Sequence, residues 1–261
     1  MEDRKKIYFA SDFHFGIPDH RRSLKREKLF VKWLDEVKAD AAHIFLMGDI
    51  FDFWFEYKTV VPKGFVRLLG KLAEITDAGI PVSLFRGNHD VWAFNYFEKE
   101  LNIKLYREPQ IIHLSGKEFY LAHGDGLGPG DKGYKFLKKV FACHLNQWLF
   151  RWLHPDIGAR MGLYFSGRSR LANIAKDEKK DTSNNIHDEM LYQYSIKVLE
   201  ENPGIDYFIF GHRHLPTNVK LNETTKLIIL GDWITNFTYA VFDGKELVLK
   251  QYNHITDKDK P

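Results

Sequence analysis

An α/β fold is predicted by three features of the chain. Short runs that are apolar at nearly every position recur along it, and each ends in a polar cluster. Amphipathic stretches with helical spacing separate the first of these runs. Two further runs near the C-terminus flank a hairpin turn. Strands buried on both faces read as continuous apolar runs, and amphipathic crossovers cover them.

The first run, "IYFA", leads into Ser11-Asp12-Phe13-His14, and residues 21–38 then show helical spacing. "HIFLM" leads into Gly48-Asp49-Ile50-Phe51-Asp52, followed by a second amphipathic stretch near 62–79. "PVSLF", after Arg86, leads into Gly87-Asn88-His89-Asp90. "EFYLA" leads into His123-Gly124-Asp125. Between Tyr134 and about Ala175, Leu137, Phe141, Leu145, Trp148, Leu149 and Trp152 recur at helical spacing, which predicts two helices. Cys143 falls within that pattern and is expected to be a small core residue. A solvated connection at 175–185 precedes a helix near 186–201. "YFIF" leads into Gly211-His212-Arg213-His214. "KLIIL", before Gly231-Asp232-Trp233, is read with the antiparallel C-terminal segments, and Asp232 as a turn residue, with lining of the site edge as the alternative. "TYAVF" and "ELVLK" form a hairpin across Asp243-Gly244.

Composition sets the class. With 44% hydrophobic and 28% charged residues in 261, the chain can bury a sizeable core as a single domain, 1–261. A net charge of +3 makes no demand for nucleic acid, and none is expected as a partner. A lone cysteine excludes an internal disulfide and suits a reducing compartment. No signal-peptide core and no bilayer-length apolar run is present, so a cytoplasmic protein is expected.

Loops leaving the carboxyl ends of strands in such folds gather at one edge, where ligands bind. The polar clusters should therefore meet. Together they offer Asp12, His14, Asp49, Asn88, His123, His212 and His214. Carboxylate, amide and imidazole suit borderline divalent metals such as manganese, iron or zinc, and without a thiolate a structural zinc site is disfavoured. The set is too large for one ion with an open position, and fits two ions that share a carboxylate. Two such ions, roughly 3.5–4 Å apart, clamp the oxygens of an in-line displacement at phosphorus. Asp-x-His alone is a chance pattern, and Gly-Asp is a common turn. The clusters in one order, each after an apolar run, are what carry the reading.

These residues resemble the calcineurin-like metallophosphoesterases, whose pattern is D-x-H, G-D-x-x-D, G-N-H-D/E, a lone histidine and G-H-x-H. The resemblance implies a four-layer α/β/β/α sandwich and two divalent metal ions, manganese the expected one. It implies that Asp12, His14, Asp49 and His214 hold one ion, that Asp49, Asn88, His123 and His212 hold the other, and that Asp49 bridges. It makes His89 the catalytic contact to phosphate, an aligned imidazole that can protonate a leaving oxygen. Asp52 and Asp90 would orient ligands or turns.

The stretch "HGDGLGPGDKGYKFLKKVF" resembles the UDP-2,3-diacylglucosamine diphosphatase branch, with Asp125, Leu127, Asp131, Gly133 and Tyr134 at matching places. "GDIFDFW" resembles it too, and the likeness is looser over 155–200. That branch implies hydrolysis of a nucleotide-linked lipid to UMP and a lipid monophosphate, with Asn88 and Asp131 touching substrate. It also implies a helical lid inserted at about 131–175 that accepts acyl chains, and peripheral contact with the cytoplasmic face of the inner membrane. Lys135, Lys138, Lys139, Arg151, Arg160, Arg168, Arg170 and Lys176 put positive charge in and around it, although each is ordinary as a solvated surface residue. The departure is His89, where that branch carries arginine. Gly128 to Gly133 satisfies G-x-G-x-x-G but lacks the following strand and acidic residue that a dinucleotide loop needs.

Overall fold

Two sheets carry the chain, and both put the carboxyl ends of their parallel strands at one edge. A computed structural model describes residues 5–128, 132–180 and 186–253, and for 169–180 the backbone only. In the first sheet β1 (Lys6–Ala10), β2 (Ala41–Leu46), β3 (Val82–Phe85) and β4 (Lys104–Tyr106) run parallel. The C-terminal strands β10 (Thr238–Phe242) and β11 (Leu247–Gln251) join antiparallel, giving the order β11-β10-β1-β2-β3-β4. The second sheet holds β5 (Gln110–Leu114), β6 (Lys117–Leu121), β7 (Tyr207–Phe210), β8 (Thr217–Lys220) and β9 (Lys226–Ile229), in the order β5-β6-β7-β9-β8.

Side-chain alternation along the strands makes three apolar layers. Phe9, Phe45 and Phe85 point from the first sheet toward Phe119, Leu121, Ile209 and Ile228 of the second. Their neighbours Tyr8, Ala10, Ile44, Leu46 and Leu84 face helices α1 (His20–Val37), α2 (Val66–Asp77) and α3 (Tyr96–Leu101). Tyr120, Phe208 and Phe210 face α7 (Met190–Glu201) on the outer side of the second sheet. The result is the helix–sheet–sheet–helix sandwich. Each large side chain fully buried in it contributes about 1.5–3 kcal/mol.

Helix α1 starts where Asp19 accepts a hydrogen bond from Arg22 N at 2.9 Å, a side-chain N-cap. It buries Leu29, Phe30, Trp33, Leu34 and Val37 on one stripe, as the spacing predicted. Two buried charges on it have structural tasks. Arg26 donates to the carbonyls of His14 and Ile17 at 3.0 and 2.6 Å. Glu27 Oε1 accepts from Arg67 N and Leu68 N at 3.0 and 3.1 Å and so caps the first turn of α2.

Four expectations change. The segment 132–180 forms three helices rather than two: α4 (Lys132–Ala142), α5 (His144–Arg151) and α6 (Pro155–Lys180). The backbone is extended at Cys143, and α6 begins on a proline, which is favoured at a first helical position; apolar spacing ran on across both breaks. Cys143 is accordingly exposed at the α4–α5 junction and not in a core. The run "KLIIL" became β9, antiparallel to β8 but parallel to β7. Its apolar residues are buried, as a strand inside a covered sheet requires. The predicted connection is helical as far as Lys180, and 181–185 lie outside the described residues.

Candidate metal centre

The loop after β1 is zipped to the loop after β2. Asp12 N donates to Gly48 O, Phe13 N and His14 N to Asp49 O, and Phe15 N to Ile50 O, all within 2.9–3.1 Å. The loop after β3 is tied to the same place by Asp90, whose carboxylate accepts from Gly87 N at 2.6 Å and Ile50 N at 2.8 Å. From the second sheet, Gly211 N donates to His123 O at 2.9 Å. Gly87 and Gly211 allow the final approach, because a Cβ on Gly87 would collide with Asp49, and one on Gly211 with Ser11 and Asp12.

The folded chain brings all the predicted ligands to this edge. His14 Nε2 and His214 Nε2 lie 3.2 Å apart, with Asp12 Oδ1 3.3 Å from the latter and 3.8 Å from the former. Beside them Asn88 Oδ1 is 3.0 Å from His212 Nδ1 and 3.3 Å from His123 Nε2. Asp49 Oδ2 stands between the two groups, 3.5 Å from His14 Nε2 and 3.4 Å from His123 Nε2. Asp12, His14, Asp49, His212 and His214 all have positive φ, between 44° and 68°. Such backbone is costly for residues other than glycine and persists only where surrounding structure holds it.

A metal pair fits this donor set. Asp12 Oδ1 is buried without a hydrogen-bond partner, although two imidazoles crowd it. Asp12, His14 and His214 form one compact ligand group, and Asp49, His123 and His212 another. His123 Nδ1 lies 2.8 Å from the carbonyl of Met47 and can donate to it, which turns Nε2 toward the site. His214 is backed by Asp232, 3.8 Å from its Nδ1, while Asn236 donates to the His214 carbonyl at 2.9 Å. Asp232 is thus a turn residue, accepting from Ile234 N and Thr235 N, and also a wall of the site.

Charge is balanced inside the cluster. Burial would raise the Asp12 carboxyl, but His214, His14 and His123 hold it well below the usual range. Burial would likewise depress His14, yet Asp12, Asp52 and Asp49 push it up to about 10. His212 goes the other way, down to about 4, through burial and the charge of His123. Burial and the charge of Asp49 push Asp90 up to about 7 against its two backbone N–H bonds. These opposed shifts, at one edge, are what a built ligand cluster produces.

This geometry agrees with a family comparison. The calcineurin-like phosphoesterase model matches residues 5–216. The chain belongs to the calcineurin-like phosphoesterase family. It is a metal-dependent phosphoester hydrolase. Among similar proteins, a UDP-2,3-diacylglucosamine hydrolase of Porphyromonas gingivalis is 40% identical over 95% of this chain and 97% of its own. Proteins of the same name from Histophilus somni and Vibrio atlanticus are 26% and 27% identical, covering 88% and 94% of this chain and 92% and 96% of theirs.

Other members of the constellation surround this calcineurin-like centre. His89 is turned by the carbonyl of Asp52, 3.0 Å from its Nδ1, and its ring meets that of His14 edge-on at 4.6 Å. Asp52 Oδ1 is also 3.6 Å from His14 Nδ1. Asp125 accepts from the Tyr134 hydroxyl at 2.6 Å and pairs with Lys138 at 2.7 Å, fastening α4 to the His123 loop. Asp131 lies outside the described residues. Two residues escaped the sequence reading. Arg26 sits inside a helical pattern that gave no sign of its bond to His14, and Ser166 reaches Asp52 from more than a hundred residues away.

Proposed function

We propose that this enzyme hydrolyses the diphosphate of UDP-2,3-diacylglucosamine to UMP and a lipid monophosphate. The observation that carries this reading is the 40% identity, along nearly the whole of both chains, to the hydrolase of that name in Porphyromonas gingivalis. In this reading Asp12, His14, Asp49 and His214 hold one ion and Asp49, Asn88, His123 and His212 the other, with manganese as the native metal. The ions would supply charge stabilisation and lower the pKa of water at the attacked phosphorus. Asn88 Oδ1 stays fixed between His123 and His212. His89 stands beside His14 and contacts the phosphoryl oxygens, where preorganised donors yield most of the rate gain. Water attacks phosphorus, one P–O bond of the diphosphate breaks, and the leaving oxygen takes a proton.

The acyl chains would be received by the helices that follow the His123 loop. Phe136, Leu145, Trp148, Trp152, Tyr164 and Phe165 are each more than half exposed there, an apolar surface of a kind that marks interaction sites. Among the described residues no helix is long and apolar enough to cross a membrane. In this reading the enzyme works in the cytoplasm and meets its lipid at the inner-membrane face through the exposed apolar surface.

The test is release of UMP from UDP-2,3-diacylglucosamine, with manganese and with chelator, by the wild type and Asp49→Ala. Manganese-dependent release that disappears in the variant supports the whole reading. An intact lipid beside cleavage of a generic phosphodiester would keep the metal centre and discard the substrate. His89, standing where the branch has arginine, is the reason to run both arms.

A further inference from the structure

Helix α6 approaches the metal centre on a face made of Gly158, Gly162 and Ser166, spaced four residues apart and therefore aligned. A Cβ on Gly158 would strike the Tyr57 hydroxyl, and one on Gly162 the ring of Phe53. The helix backbone thus lies directly against the aromatic run that follows the Asp49 loop. This seating delivers Ser166, 9% exposed, to the base of His89. Ser166 Oγ is 2.7 Å from Asp52 Oδ2 and 3.0 Å from His89 Nδ1.

The hydrogen bonds have one consistent assignment. A carboxylate can only accept, so the serine hydrogen goes to Asp52. What Ser166 then turns to His89 Nδ1 is a lone pair, and the Asp52 carbonyl turns another at 3.0 Å. Nδ1 must carry the hydrogen and share it between the two oxygens. The ring is held in one tautomer and one orientation, with Nε2 left for the site.

We propose that Ser166 is a positioning residue for His89, and that the centre is complete only while α6 is docked on Phe53 and Tyr57. The helices after β6 then do more than receive substrate, since one of them supplies a hydrogen bond behind a catalytic side chain. The proposal rests on the reading of His89 as a phosphate contact.

The test uses the full chain loaded with manganese and a small chromogenic phosphodiester that has no acyl group, so that lipid contacts do not enter. Ser166→Ala, His89→Ala and the double variant form a cycle. Ser166→Ala should lower kcat about 10-fold, the low end of what losing an outer hydrogen-bond partner costs, with KM within about two-fold. In the His89→Ala background it should cost nothing more. In the metal-free protein, the ring Nδ1–H of His89 should give a slowly exchanging NMR signal that Ser166→Ala accelerates beyond detection. An equal loss in both backgrounds overturns the proposal, as does an unchanged Nδ1–H signal. A His89→Ala loss without a Ser166→Ala loss overturns this proposal alone. An unchanged rate in His89→Ala overturns the reading of His89, and this proposal with it.

Discussion

The loops at the strand ends and the helices of 132–180 are built from similar material and end up opposite. Both are rich in aromatic residues, yet Phe51, Trp54 and Phe55 beside the Asp49 loop are fully buried, whereas α4 and α5 bury no side chain completely. Trp152 is 75% exposed. The loops have a sheet beneath them and helices beyond; the helices have the protein on one side only. Rigid backing lets the loops hold positive-φ residues and a buried carboxylate oxygen without a hydrogen-bond partner, costs that an exposed segment could not bear. Precision therefore belongs to the sandwich and adaptable apolar area to the helices.

The sharpest way to break this contrast is at the carboxylate that stands between the two groups. Asp49→Ala should reduce phosphodiester turnover by more than about 100-fold, beyond the range for outer partners, and lower the metal bound per chain. A variant keeping both ions would remove Asp49 from the bridge. Next comes the core that backs the loops. Phe45, fully buried and stacked on Phe9 at 5.1 Å, should cost about 3–5 kcal/mol as Phe45→Ala in urea unfolding.

A smaller effect concerns protons. His14, pushed up to about 10, must lose its proton before it can bind metal, while His212, pushed down to about 4, is already neutral near pH 7. Metal affinity should therefore rise with pH from about 6 toward 10, by up to about tenfold per unit for each proton displaced. Calorimetry in buffers of different ionisation enthalpy counts that proton, and finding none would refute the assignment. The sign for the metal-free fold is opposite. Stabilisation by the His14 imidazolium is complete below its ordinary value of 6.5 and fades as pH passes about 10.

The smallest effect sharpens the comparison from the other side. Trp148→Ser with Trp152→Ser should change unfolding free energy by less than about 0.5 kcal/mol per site, since both side chains are exposed. The same pair should raise KM for a diacylated substrate and leave a small phosphodiester unaffected.

The site was largely legible because its chemistry is local. Each candidate ligand sits one to four residues past an apolar run, so the strand and the residue it places are read together. Asn88 and His89 could be assigned from "GNHD" because four other clusters followed the same grammar. Helix counts in 132–180 were less legible, since apolar spacing passes through the extended Cys143 unchanged. For Asp232 the sequence left a turn and a place at the site edge both open, and its position beside His214 depends on a loop from another strand.

What the sequence determined by itself is the alternation of strands and helices, the candidate ligands that meet at one edge and the reaction class, because periodicity and side-chain chemistry are properties of short segments. What only the tertiary structure decided is which sheet each strand joins, that Asp232 backs His214, and that Ser166 meets His89. Those are contacts between residues far apart in the chain, and they exist only once the two sheets pack face to face and α6 finds its seat on Phe53.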